Sequence, residues 1–220
     1  MIEISRGAEG VVYRYENKIV KIREVKKYRI EEIERMISKA RTKSEETVLK
    51  RLGPLGVAPK VLEKSEDILL AVEKMNERIG CTVVMEYLEG ERLAEVVRRV
   101  GTEKELEDLV EKISRRVSEM HRVEVVHGDL TPNNILVKDG EVMFIDFGLS
   151  KITKKPEDKA VDLYLFEKSI KAITGRDVSE AVERGYGKDT VVKDAVMKDV
   201  IVKLKDVRRR GRKRELEAIG

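Results

Sequence analysis

His127-Gly128-Asp129-Leu130-Thr131-Pro132-Asn133-Asn134-Ile135-Leu136-Val137, followed closely by Phe144-Ile145-Asp146-Phe147-Gly148, is the stretch on which the reading of this chain turns. His127, Asp129 and Asn134 fall as H-x-D-x-x-x-x-N, and Asp146 comes twelve residues after Asn134. Between them stand ILV and VMFID around Lys138-Asp139-Gly140, which predicts a short hairpin bracketed by polar loops. Phosphoryl transfer needs such a set: Asp129 to accept a hydroxyl or water proton, with Asn134 and Asp146 as hard oxygen ligands for Mg²⁺ bridging nucleotide phosphates. Singly, Asn133-Asn134 could cap a turn and Asp146 could end a strand. The hairpin that their spacing predicts, and that the sequence supplies, joins them into one pattern.

The same chemistry asks for two parts upstream, a glycine-containing loop over the phosphates and a strand lysine paired with a helix glutamate. Gly7-Ala8-Glu9-Gly10, within SRGAEGVV, offers the loop, Lys21 in IVKI offers the lysine, and Glu45 (over its neighbour Glu46) offers the pair. Alone, each would be an ordinary turn, a solvated strand lysine and a solvated helix glutamate; their order and distance raise them. VVMEYLEG would set the Glu86 carbonyl and the Leu88 N–H against adenine, with Val20 and Leu136 as apolar covers.

Around these motifs the chain reads as α+β. Residues 11–22 form a hairpin through Glu16-Asn17-Lys18, and 31–52 form a helix stopped by GPLG. VLE, ILLAVE and CTVVMEYL read as further strands, with residues 74–80 as a loop without assigned role. Thr102-Glu103-Lys104-Glu105 is a capping box opening a helix to about Arg122, and helices are expected over 158–173 and 189–207. The expected units are an N-lobe over 1–88, a helical C-lobe over 89–207 and a basic tail over 208–220.

Hydrophobic residues are 41% and charged residues 40%, with Lys+Arg 46 against Asp+Glu 42, as expected of a soluble globular chain. No apolar run is long enough for a membrane span, no signal peptide is expected, and Cys81, the single cysteine, cannot build a disulfide framework. A reducing, cytoplasmic setting is expected. Residues 203–220 carry a net charge of +5 although the whole chain carries +4, so the basic character belongs to the tail. Arg208, Arg209, Arg210, Arg212, Lys213 and Arg214 read as a flexible arm that could follow a nucleic-acid phosphate backbone, or as a solvated charged end.

Taken together, GAEGVVY, IVKIR, Tyr28-Arg29 before a long helix, RTKSEE, VVMEYLEG, HGDLTPNNILV, FIDFGLS, EDKAVDLYLFEKSI and VRRRGRKR resemble the protein-kinase-like superfamily over nearly the whole length. They are most similar to the small RIO-like kinase subunits of the KEOPS (EKC) tRNA-modification complex. The resemblance implies a bilobal protein-kinase-like fold with a reduced activation segment. It also implies use of ATP and Mg²⁺, serine/threonine autophosphorylation and ATPase activity. The partners it implies are the threonylcarbamoyl-transferase subunit, a small accessory subunit, and tRNA reached through the basic tail, with the modified adenosine next to the anticodon. It further implies that Asp162 is a buried carboxylate holding the catalytic loop. Gly128 stands where ordinary protein kinases carry an Arg that reads a phosphorylated loop, and Thr131 where a Lys often steadies the γ-phosphate. The few residues after Gly148 leave no platform for a peptide substrate. Two other readings fit parts of the pattern: a small-molecule kinase of the aminoglycoside or choline type, for which residues 89–220 leave little room, and a non-catalytic tRNA-binding scaffold.

Overall fold

Alternation of apolar residues along 11–22 builds the first sheet. In the computed structural model, which describes residues 1–7, 10–23, 30–75, 81–187 and 195–217, the chain divides into units spanning 1–89 and 90–220. In the first, β1 (Ile2–Gly7), β2 (Gly10–Tyr15) and β3 (Lys18–Ile22) form an antiparallel meander, and β4 (Thr82–Glu86) pairs antiparallel with β3. Successive side chains point to opposite faces, so Val11, Tyr13, Val20, Ile22 and Val84 share one face and bury there with Ile68 and Val72. Lys21, by its place in the register, belongs to the other face. The helix α1 (Glu31–Leu52) buries Glu45, Val48, Leu49 and Leu52 and ends at Gly53.

The run ILLAVE, expected as a strand, is instead helix α2 (Glu66–Lys74). Ser65 precedes it with extended backbone, Glu66 and Asp67 occupy its first turn, and Ile68 and Val72, four apart, are the buried pair. Leu70 between them is 51% exposed, the mark of a helical rather than a strand face. Acidic residues in the first turn favour this outcome because they offset the positive helix end. The expected strand VLE reduces to one bridge, Val61 opposite Met85.

In the second unit β5 (Glu91–Arg92) leads into α3 (Leu93–Arg99), and α4 (Glu103–Arg122) opens on the predicted capping box. The Thr102 hydroxyl accepts the Glu105 N–H at 3.2 Å while the Glu105 carboxylate accepts the Thr102 N–H at 3.1 Å. β6 (Val125–Val126) precedes the H-x-D-x-x-x-x-N motif, and β7 (Ile135–Lys138) and β8 (Glu141–Phe144) form the expected hairpin. Asp139 and Gly140, with φ of 49° and 78°, make its two-residue turn, a geometry that matches the twist of the flanking strands. After β9 (Lys151–Ile152), which pairs with β6, come α5 (Pro156–Thr174), α6 (Ser179–Gly187) and α7 (Ala195–Glu217).

Neither α3 nor α6 was expected. The reason for α6 is tertiary: a Cβ on Gly185 would lie 2.3 Å from the Glu111 carbonyl oxygen of α4, so the two helices touch backbone to backbone at that residue. Gly185→Ala should therefore cost about 1–3 kcal/mol, read as a lower urea midpoint at unchanged slope.

The tail also differs from expectation. α7 continues through the basic run to Glu217, so residues 208–217 are helix rather than a flexible arm. Val200, Leu204 and Val207, at helical spacing, are buried, and a Cβ on Gly211 would lie 1.9 Å from the Tyr164 hydroxyl of α5.

Candidate active site

The loop between β6 and β7 is held from beneath by one carboxylate. Asp162, on α5 and 1% exposed, accepts the backbone N–H of His127 at 2.6 Å and of Gly128 at 2.9 Å. His121 Nε2 lies 3.3 Å from the same carboxylate, and its Nδ1 lies 3.0 Å from the Tyr186 hydroxyl. The role that resemblance implied for Asp162 matches these contacts. His127 Nε2–H donates to the Ile145 carbonyl at 3.0 Å, which leaves Nδ1 to accept the Asp129 N–H at 3.3 Å. Burial pushes the His127 ring below the usual histidine range, so its neutral form suits both contacts. One ring thus ties the backbone of Asp129 to the residue before Asp146.

Asn134 closes the loop. Its Nδ2 donates to the Asp129 backbone oxygen and to Asp129 Oδ2, each at 2.9 Å, and its own carbonyl accepts the Ile145 N–H at 2.9 Å. His127, Asp129 and Asn134, three of the four motif residues, are therefore drawn together. Asp146 itself sits at φ 63°, a left-handed conformation costly for a non-glycine residue, and its Oδ1 accepts the Gly148 N–H at 3.3 Å.

This donor set fits Mg²⁺. Two amide hydrogens commit Asn134 Nδ2 to Asp129, so the oxygen Oδ1 is the atom Asn134 has left to offer a cation. Among the described residues no three His, Cys, Asp or Glu cluster as a metal cage. A single carboxylate with an amide oxygen suits an ion that keeps waters and takes its remaining ligands from phosphates.

The other unit carries the lysine. Lys21 Nζ lies 2.8 Å from Glu45 Oε1, with side-chain exposures of 8% and 1%, whereas Glu46 pairs with Lys64 at 3.4 Å. Glu45, not its neighbour, is the partner. The sequence reading missed Arg23, whose Nη2 lies 2.7 Å from Glu45 Oε2. Its place two residues beyond Lys21, on the same face, was the available signal. Gly7 and Gly10 pair across β1 and β2, while Ala8 and Glu9 lie outside the described residues. Val20 requires a correction: it is fully buried on the opposite face from Lys21, against α2, and cannot cover a ligand beside that lysine. Val12, paired opposite Lys21, and Ile19, two residues before it, lie on the lysine's face instead. Glu86 ends β4, its N–H donating to the Lys60 carbonyl at 2.9 Å; no hydrogen bond among the described residues consumes the Leu88 N–H. Leu136 is buried in β7 opposite Met143.

Comparison with known proteins agrees with this geometry. A family model described as protein kinase domain matches residues 2–169. The chain is 36% identical over 217 residues to the EKC/KEOPS complex subunit BUD32 of Enterocytozoon bieneusi, covering 98% of this chain and 100% of that one. It belongs to the BUD32 family of protein kinase domains. It is also similar to the KEOPS complex subunit Bud32 of Pyrococcus abyssi, 34% identical over 77% of this chain and 76% of that protein. A third relative is a probable bifunctional tRNA threonylcarbamoyladenosine biosynthesis protein of Methanobrevibacter smithii, 33% identical over 95% of this chain and 36% of that longer protein. Protein kinase domains in general use ATP and Mg²⁺.

For a member of this family the segment after Gly148 is short and pinned. Residues 149–155 connect directly to α5; the Thr153 N–H donates to the Glu124 carbonyl at 2.7 Å and its hydroxyl to Asp158 at 2.8 Å. Gly128, at φ 82°, could not be the usual Arg without rearrangement, because a Cβ there would lie 2.3 Å from the Leu149 carbonyl oxygen. No helix among the described residues is long and apolar enough to cross a membrane.

The basic run divides. Arg208 is turned inward, its guanidinium on Glu167, on Glu183 and on the Ser179 carbonyl, so it anchors α7 on α5 and α6. Glu167 lies in a buried setting that pushes its carboxyl up, against the pull of Arg208. Arg210 pairs with Glu157, and Arg209, 77% exposed, pairs with Asp206. The side chains of Arg212, Lys213 and Arg214 lie outside the described residues.

His121 yields a pH prediction. Burial holds its ring below the ordinary 6.5, opposed by Asp162. The unfolded chain then binds more protons as pH falls through that ordinary value, so this contribution to stability is full above about pH 6.5 and is lost as pH falls towards the folded value. His127 acts in the same sense. Melting temperature should fall between pH 7 and pH 5.5, and His121→Gln should flatten that slope; an unchanged slope would contradict the assignment.

Proposed function

We propose that this chain is the ATP-consuming kinase subunit of a KEOPS-type complex and that its turnover serves threonylcarbamoylation of the adenosine next to the tRNA anticodon. The observation that carries the proposal is the loop in which Asp162 fixes His127 and Gly128 while Asn134 holds Asp129. Such a loop keeps a base and a cation ligand in fixed relation before substrate arrives. The naming of full-length relatives as KEOPS subunits, and of a longer one as a threonylcarbamoyladenosine biosynthesis protein, supports the setting.

Asp129 accepts the proton of the incoming hydroxyl or water as its oxygen bonds to the γ-phosphorus of ATP and the bond from that phosphorus to the bridging oxygen breaks, releasing ADP. Asn134 keeps that carboxylate aimed, and Lys21, paired by Glu45, steadies the nucleotide phosphates. Asn134 Oδ1 and the Asp146 carboxylate would hold Mg²⁺, which when bound neutralises charge on the phosphates. Glu86 and Leu88 offer a backbone acceptor and donor to the adenine edge. With so short a segment after Gly148, water or a serine or threonine of this chain receives the phosphate more readily than free peptides. The wider partners are a threonylcarbamoyl-transferase subunit and a small accessory subunit, in the cytoplasm.

The proposal also assigns tRNA contact to the end of α7. Because Arg208 is an anchor and Arg210, also expected to meet phosphates, is tied to Glu157 of α5, the residues assigned to phosphates are Arg209, Arg212, Lys213 and Arg214. The test measures ATP turnover by the purified chain alone, with tRNA, and with the transferase subunit, beside tRNA affinity of the assembly across salt. Turnover should rise with tRNA and partner. Neutralising those four residues should lower the slope of log affinity against log salt by about 0.7–0.9 for each lost phosphate contact, with basal turnover intact. Turnover indifferent to tRNA and partner would contradict the proposal.

A further inference from the structure

We propose that Arg23 is a positioning residue that clamps Glu45, so that the Lys21–Glu45 pair stays formed with or without nucleotide. The inference rests on the reading of Lys21 as the phosphate-binding lysine. In protein kinases the strand-lysine to helix-glutamate pair must be in place for phosphoryl transfer, and the position of that helix is an element on which control acts. Here the glutamate has two cations rather than one. Oε1 meets Lys21 Nζ at 2.8 Å and Oε2 meets Arg23 Nη2 at 2.7 Å, with side-chain exposures of 8% for Lys21, 3% for Arg23 and 1% for Glu45.

Lys21 and Arg23 lie two residues apart, hence on one face of the extended chain, with the carboxylate of α1 between them. The backbone of Arg23 is itself fixed, because its N–H donates to the Cys81 carbonyl at 3.0 Å and carries the pairing of β3 with β4 one residue beyond Ile22. Withdrawing α1 would therefore part Glu45 from two buried cations at once. A charge left buried without its partner is strongly unfavourable, and the second cation makes withdrawal harder than in a simple pair. A lysine at position 23 would be a poorer clamp, since it lacks the planar, pre-organised fork of the guanidinium. The consequence is that α1 does not serve as the on–off element of this chain, and that nucleotide finds Lys21 already aimed.

The test joins amide hydrogen exchange across residues 41–49 with ATP turnover by the full chain. Wild type should show the same protection there with and without ATP and Mg²⁺. Arg23→Met should lose protection in the free state and regain it with nucleotide, with kcat/KM for ATP about tenfold lower; Arg23→Lys should fall between the two. In a Glu45→Gln background Arg23→Met should change kcat/KM by less than about twofold, because the group through which it acts is gone. If Arg23→Met does not fold, the cycle of Arg23→Lys with Glu45→Gln carries the same test. Nucleotide-dependent protection of α1 in wild type, or an equal loss of kcat/KM in both backgrounds, would overturn the inference. A wild-type chain that neither binds nor turns over ATP would overturn the reading of Lys21, and the inference with it.

Discussion

Asp129→Asn is expected to lower ATP turnover about 100- to 10,000-fold while nucleotide affinity and the circular dichroism spectrum stay close to those of wild type. The size follows from the removal of a positioned proton acceptor. The retained fold follows from the geometry: Asn134 Nδ2 also bonds the Asp129 backbone oxygen, which the substitution leaves in place. An amide oxygen in the mutant side chain can still accept the second Asn134 hydrogen, but it cannot take a proton from a nucleophile. Near wild-type turnover in a folded mutant would remove Asp129 from the chemistry and leave its loop a structural feature.

Asp162→Ala should have the largest effect on the fold. The substitution strands the buried N–H of His127, takes from the solvent-reachable Gly128 its N–H acceptor, and takes from His121 its acceptor. At about 1–3 kcal/mol for the stranded His127 donor, with a smaller addition from Gly128, the loss is a substantial part of the stability of a domain this size. Turnover should collapse with it, because the loop that carries Asp129 loses its support. Urea denaturation measures the first effect. Asp162→Asn gives a second reading: its one oxygen can accept only part of the set, so a loss smaller than in Asp162→Ala is expected. Equal stability of wild type and both variants would show that the loop is held by other contacts.

The loop joining His127, Asp129 and Asn134 was legible in the sequence because phosphoryl-transfer chemistry would fix such residue types at fixed intervals, and because the hairpin of β7 and β8 has its own turn signature at Asp139-Gly140. Lys21 and Glu45 were legible through order along the chain, although neither motif would stand alone. Other features depend on information that a linear pattern does not carry. A run such as ILLAVE satisfies both periods, and only the burial of Ile68 and Val72 with Leu70 outside decides for a helix. Val20 was placed on the wrong face by one position, an error with large consequences because the strand period is two. Arg23 was visible within IVKIR, yet its meaning required α1 to bring Glu45 between two cations. The basic run shows the same limit: composition counts charges, but only packing reveals that Arg208 is spent on Glu167 and Glu183. The two acids lie far from it in the sequence, and no spacing rule connects them.

On the proposed function, Asp129, Asn134 and Asp146 turn over ATP in the service of tRNA modification. The most direct measurement is release of labelled phosphate from γ-labelled ATP by the assembly containing transferase subunit and tRNA, comparing wild type with Asp146→Asn. Wild type should show tRNA-stimulated release, and the variant release near background together with loss of threonylcarbamoyl incorporation into tRNA. Equal release and equal incorporation by the two proteins would contradict that function.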